Sequence, residues 1–317
     1  MKKIFFLIAG LLSFSSVAQE FNIPLQNQYL GEDSFLISSA FAGIGECIQI
    51  RGNGITQWVG IDNSPNTQTL SIDGLFTSNS GAGLILFNDS NGATSQRGVQ
   101  LSYAHHLTLS DYSSQYLSFG ISYRYTNFGI DSSEFNRPDI GLRGDLNVNN
   151  HNFEVSTAYR LENFFISFTA LNLLDKELDQ FGTNEPFNIR SYYVYAGYVF
   201  QPKFADWEIE PSVFYQTFDG DGRATSDVNI KFRKKSGLEN YYWAGASMRF
   251  INDQDFVPLY LSPMVGAKVN NFYVGYSYQV NLNRIQRFNS GTHMLTVGID
   301  FGCRASRCGC TRGQSMK

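Results

Sequence analysis

Past its first residues this 317-residue chain has no apolar run near membrane-spanning length. A helical route through a bilayer, which needs about 20 consecutive apolar residues, is therefore excluded. Proline is scarce, at 8 residues, and charged side chains make up only 16% of the chain. Few prolines leave extended segments uninterrupted. The sparse charge is also net acidic, at −4, and becomes −6 once Lys2 and Lys3 are set aside, which excludes a basic nucleic-acid footprint. There is no low-complexity linker, no solenoid-length repeat and no sign of a second domain.

What is present begins with an export signal. Lys2 and Lys3 form a basic start, Ile4 to Phe14 an apolar stretch, and Ser16-Val17-Ala18 a small-residue cleavage site. The expected cut falls between Ala18 and Gln19, and no cysteine stands there to accept a lipid. An apolar stretch of about eleven residues is too short to span.

The chain is rich in aromatics and glycine, with 27 Phe, 18 Tyr and 29 Gly, a composition that suits barrel walls, aromatic girdles and turns. Leu117, Phe119, Ile121, Tyr123 and Tyr125 alternate with Ser118, Gly120, Ser122, Arg124 and Thr126. The same period of two returns at Phe272, Val274, Tyr276, Tyr278 and Val280, and at Leu295, Val297, Ile299 and Phe301. In a membrane barrel the apolar set faces lipid and the polar set faces the lumen.

This template predicts about fourteen strands, an even number as bacterial barrels require. They fall near 48–59, 67–78, 81–88, 96–108, 114–127, 147–160, 163–172, 190–201, 206–218, 223–234, 238–251, 257–269, 271–282 and 291–302. Short connections at Asn79-Ser80, Glu162-Asn163, Lys235-Ser236-Gly237 and Asn270-Asn271 alternate with long ones near Asp62–Asn66, Phe128–Leu146, Leu173–Ile189 and Asn283–Ser290. Outer-membrane barrels keep short turns in the periplasm and long loops outside, so both chain ends are expected in the periplasm. A soluble β-sandwich or a secreted propeller is the rival fold, and neither has reason to keep that parity.

The expected organisation is a signal peptide over 1–18, a lumenal or periplasmic segment over 19–46, an all-β transmembrane antiparallel barrel over 47–302, and a cysteine-containing basic tail over 303–317.

Several words of sequence resemble the PorP/SprF family. They are Arg51-x6-Trp58-x-Gly60, Thr67-Gln68-Thr69-Leu70-Ser71-x-Asp73-Gly74, and Gly81-x-Gly83-x4-Asn88-Asp89. Leu101 to Leu107, Leu117 to Gly120, Val274 to Tyr278 and Asn289 to His293 continue the resemblance over nearly the whole mature chain. Ser39 to Gly43 departs from the Asn-Pro-Ala-Tyr-Ala-Gly-like opening of that family, and the tail after Phe301 is peculiar to this chain. The resemblance implies an outer-membrane component of the type IX secretion system of Bacteroidota. Such a component scaffolds or anchors a secreted adhesin-like cargo, contacts periplasmic ring or lipoprotein components, and in some species supports gliding motility. It implies no enzyme activity and no cofactor.

Candidate site residues are few. Cys47 precedes the first strand and Cys303 ends the last, and these two strands are neighbours in a closed barrel, so a disulfide from Cys47 to Cys303, Cys308 or Cys310 is expected across the seam. Lys231, Arg233, Lys234 and Lys235 fall at an expected periplasmic turn, where they form a candidate docking patch for an acidic partner or a solvated turn.

His105 and His106 point to opposite faces of a strand and cannot share one metal without a bend. Asp219-Gly220-Asp221-Gly222 lacks the ligand spacing of a calcium loop and reads as a hairpin turn. Asp73 and Asp89 beside Arg51 read as lumenal charge pairs rather than an acid–base centre. No nucleophile elbow or Ser/His/Asp context appears. A ligand-specific or passive pore is the rival function, since a barrel of this size can enclose a polar channel.

Overall fold

Side chains that alternate between apolar and polar need two different environments, and a sheet closed on itself supplies them without leaving an unpaired edge. A computed structural model describes residues 23–45, 47–131, 146–174, 190–219, 222–237, 240–303 and 310. Fourteen strands run in chain order: β1 (Ile48–Thr56), β2 (Asn66–Thr77), β3 (Ser80–Asn91), β4 (Thr94–Ser110), β5 (Gln115–Ile130), β6 (Leu146–Leu161), β7 (Phe164–Leu171), β8 (Ser191–Tyr198), β9 (Trp207–Phe218), β10 (Ala224–Lys235), β11 (Tyr241–Ile251), β12 (Val257–Val269), β13 (Phe272–Asn281) and β14 (Thr292–Phe301). Each pairs antiparallel with the next, and β1 closes on β14 from Ile48 opposite Phe301 to Thr56 opposite His293. The expected all-β barrel of about fourteen strands is the observed one.

The faces divide as the alternation requires. On β5, Phe119 and Ile121 are exposed on the outer surface while Ser118, Gly120, Ser122, Arg124 and Thr126 are buried inside. On β14, Leu295, Val297 and Phe301 are exposed outside while Thr292, Met294, Thr296 and Asp300 are buried within. Exposed apolar side chains of this kind on the outer face are what a hydrocarbon core solvates.

Four of the strand boundaries that differ from expectation do so for local reasons. β1 stops at Thr56 because Trp58 takes a left-handed conformation, with φ 48°, and Gly60 follows at φ 101°. β8 ends at Tyr198, short of 201, because the register sets Tyr198 opposite Pro211, which has no amide hydrogen for the ladder; Phe200 keeps only an isolated bridge to Ile209. β3 and β4 run on to Asn91 and Thr94, since Gly92 with φ 58° turns the chain in two residues.

The rim where β1 begins and β14 ends is called the near rim below, and the opposite one the far rim. The wall is uneven in height. β4, β5 and β6 are 17, 16 and 16 residues long, while β7 and β8 have 8 residues each.

Candidate functional site

The lumen is occupied by the chain's own N-terminal segment. From β1 the chain runs backwards in number up the inside of the barrel, through short 3-10 turns at Ser39–Phe41, Ser34–Leu36 and Gln28–Leu30. Its apolar residues Leu30, Phe35, Leu36, Ile37, Ala40 and Phe41 join one buried cluster with wall residues such as Ile85, Phe165, Tyr195 and Phe214. The wall is carved to admit it. A Cβ on Gly81 would strike the Ala42 carbonyl, and one on Gly120 would strike the backbone at Ser39 and Ala40.

A segment without strand pairing must satisfy its backbone elsewhere, and the inward-facing polar side chains do this. Ser39 N–H donates to Glu154 (3.0 Å) and Ala40 N–H to Ser156 (2.8 Å). Gly43 N–H donates to Asp73 (2.8 Å). The Ile37 carbonyl accepts from Thr169 (3.0 Å), the Ala42 carbonyl from His106 Nε2 (3.0 Å), and the Leu25 carbonyl from Arg249 (2.9 Å). Asn27 is read completely: its amide nitrogen donates to Ser262 (2.6 Å) and Ser277 (3.0 Å), and its oxygen accepts from Gln279 (3.0 Å).

Two acidic residues of the segment anchor it electrostatically. Glu32 lies 2.5 Å from Lys231 Nζ and 2.6 Å from Arg233 Nη2, and Arg233 also pairs with Glu208 on β9. Burial alone pushes the Glu32 carboxyl up, but Arg233 and Lys231 outweigh it and hold the group well below the usual carboxylate range. Asp33 accepts from Asn53 (3.0 Å) and Ser71 (2.9 Å). Burial dominates there and pushes it up to about 6, against the lowering effect of those hydrogen bonds and of Arg51. Tyr29 completes the set by donating to Asp227 (3.0 Å), which Arg249 grips at 2.5 Å.

The structure joins Cys47 to Cys303 by a disulfide across the β1–β14 seam. One level above, Arg51 of β1 pairs with Asp300 of β14 at 2.7 Å, and Lys268 of β12 reaches the same carboxylate. Arg51 thus finds its partner across the seam. Asp73 instead accepts from the plug, and Asp89 from Thr67 (2.5 Å). Cys310 is itself disulfide-bonded and buried, and its carbonyl accepts from Arg160 beside the near rim. Cys308 lies outside the described residues, as do Ala18 and Gln19.

The basic run 231–235 is strand and not turn, which corrects its reading as one solvent-facing docking patch. Period two sends Lys231 and Arg233 into the lumen, 6% and 3% exposed, where they bind Glu32. Lys234 faces outward and Lys235 is half-buried at the strand end.

His105 and His106 do face opposite ways: His105 bonds Ser80 (2.9 Å) and His106 bonds Ser118 (2.8 Å) and the plug. In the Asp219–Gly222 turn, Gly220 and Asp221 fall outside the described residues. Among the described residues no cluster of His, Cys, Asp and Glu could hold a metal.

The sequence reading missed Asn27, Tyr29, Glu32 and Asp33. Their signal was a polar residue every few positions in an otherwise apolar stretch just before the first strand, too short and aperiodic to assign to any face.

A family model described as "Type IX secretion system membrane protein PorP/SprF" matches residues 18–299. Among solved structures, the CymD monoaromatic hydrocarbon channel is similar at 10% identity and TM-score 0.46, over 88% of this chain and 94% of that one. The Acinetobacter baumannii outer membrane protein Omp33 is similar at 11% identity and TM-score 0.46, over 82% of this chain and 100% of that one. The KdgM porin is similar at 9% identity and TM-score 0.41, over 80% and 99%. No match is found among curated proteins.

Proposed function

This chain belongs to the PorP/SprF family and is an outer-membrane component of the type IX secretion system; from that premise we propose that it works as a closed scaffold, not as a conduit. The scaffold holds an adhesin-type exported protein at the cell surface and contacts periplasmic ring or lipoprotein components. Where the anchored adhesin is one that moves over the surface, the same barrel serves gliding motility. No residue is assigned to catalysis or to a cofactor.

The observation that carries this reading is the plug. Residues 23–45 fill the lumen with buried apolar contacts and are tied by side-chain hydrogen bonds or ion pairs to β1, β2, β4, β6, β7, β10, β11, β12 and β13. A passage for solutes would need that network displaced. Function is then left to the two rims and the outer surface. In this reading the near rim, with the seam disulfide, faces the periplasm, and the far rim, which carries the longest connections, between β5 and β6 and between β7 and β8, faces outward.

Planar-bilayer recording of the purified barrel tests the choice between scaffold and pore. The scaffold reading expects no steady conductance from the wild-type chain. Steady, ion-selective current from the intact wild-type barrel would overturn it in favour of the pore.

A further inference from the structure

The hairpin of β5 and β6 outruns its neighbour. β6 pairs with β7 only from Leu161 to Glu154, opposite Phe164 to Leu171. Its pairing with β5 continues to Leu146 opposite Ile130. Among the described residues, Asn147 to Asn152 therefore have a strand partner on one side only. Leu173 N–H donates to the Phe153 carbonyl (3.3 Å), and Asn152 holds Leu174 through both its amide atoms (3.2 and 3.0 Å) where the chain departs.

The Phe153 carbonyl thus points away from β5. Strand alternation turns the main-chain groups of His151, Asn149 and Asn147 the same way. The result is a row of donors and acceptors about 20 Å long, at roughly 3.3 Å per residue.

Sheet proteins blunt such edges with lysine, other charges, proline or bulges. The stretch Asn147-Val148-Asn149-Asn150-His151-Asn152-Phe153 has no charged residue and no proline, and its register against β5 is regular. Lipid does not cover it either. Its outward side chains are polar and bound to their neighbours: Asn127 to Asn147 (2.5 Å), Tyr125 to Asn149 (2.8 Å) and Tyr123 to His151 (2.5 Å). The apolar outer surface of β6 begins only at Phe153 and Val155.

We propose that the β6 edge from Asn147 to Asn152 is a strand-addition site for an extended, uncharged segment of the exported protein. The proposal rests on the surface-anchor reading above and deepens it. An added strand takes the place beside β6 that, among the described residues, is left open from Asn147 to His151, beyond the Leu173 and Leu174 contacts with Phe153 and Asn152. The neutral edge favours a neutral partner. The Asn, Tyr and His side chains on its outer face favour Ser, Thr or Asn at alternate positions of the incoming strand.

The test combines exchange and a backbone variant. In the purified full-length barrel the amides of Asn149 and His151 are expected to exchange fast beside those of Asn150 and Asn152, which face β5. Slow exchange at Asn149 and His151 in the isolated protein means that the barrel covers its own edge, and overturns the proposal, as does a barrel that dimerises through this edge.

In the native organism, Asn149→Pro removes one outward-facing donor and leaves the β5 ladder intact. It is expected to lower the surface-held exported protein at least tenfold at unchanged barrel level, while Asn149→Ala leaves it near wild type. If Asn149→Pro fails to fold, Asn149→Lys, which places a charge on the edge, carries the test with the same expectation.

Retention of the exported protein by a folded edge variant overturns the edge site even where deletion of the whole gene loses it. Retention after gene deletion overturns the anchor reading itself.

Discussion

Glu32, on the segment inside the barrel, lies 2.6 Å from Arg233 on the wall; Arg233 is buried at 3% exposed and Glu32 largely so at 22%. Removing one partner of a buried pair leaves the other charge uncompensated and costs about 3–5 kcal/mol. Arg233 retains Glu208, so Glu32→Gln is expected near the lower end of that range, about 3 kcal/mol. The variant is expected to seat its plug loosely and to show flickering conductance in planar bilayers where the wild type is silent. A variant as silent as the wild type would place the closure elsewhere.

The two acids of the plug respond oppositely to pH. Glu32 is held below its ordinary value, so its stabilisation is present above about 4.5 and is lost as pH falls through that range. Asp33 is raised to about 6 from 3.8, so the seated plug binds a proton that the released plug does not, and seating weakens as pH rises from about 4 to about 6. Of these two acids only Asp33 moves between pH 5 and pH 7. Asp33 is therefore expected to favour the seated plug more at pH 5 than at pH 7, read by proteolysis of residues 23–45, and Asp33→Asn is expected to remove that part of the pH dependence. An Asp33→Asn profile identical to the wild type's would contradict the assignment.

The close approach at Gly120 gives a steric test. Any side chain there strikes Ser39 and Ala40, and overpacking of this kind costs about 1–3 kcal/mol. Gly120→Leu is expected to assemble a barrel with its plug unseated, detected as new protease cleavage within 23–45 at unchanged heat-modifiable mobility. A fully protected segment would show that the plug does not depend on this cradle.

The seam disulfide is the covalent counterpart. Cys47 and Cys303 are 256 residues apart in sequence, and loop-closure entropy alone assigns a bridge of that span about 5 kcal/mol. A non-reducing peptide map is expected to recover Cys47 joined to Cys303, and Cys47→Ser is expected to lower the temperature at which the barrel loses its compact gel mobility. Recovery of Cys47 as a free thiol, or joined to Cys308 or Cys310, would contradict the pairing.

The barrel was legible because its signal is periodic. Phe119, Ile121, Leu295 and Val297 face outward wherever alternation puts them, and an even strand count with the first and last strands as neighbours follows from closure. The interior was not legible in the same way. Arg51 pairs with Asp300, 249 positions on, and Glu32 with Arg233, 201 positions on. Such partners are set by the stagger of the strands and by the path of a segment that has no period. Lys231 and Arg233 show the consequence: a run of basic residues looks like a surface patch in sequence, yet on a strand every second one turns inward.

The central claim is that this barrel anchors an exported protein and docks to the secretion machine. It is tested most directly by tagging the protein in its own organism, solubilising the outer membrane gently, and identifying what co-purifies by mass spectrometry. The account expects a large secreted adhesin-type protein together with periplasmic ring or lipoprotein components, in amounts comparable to the barrel. Recovery of the barrel alone, from cells in which those proteins are abundant, would contradict it.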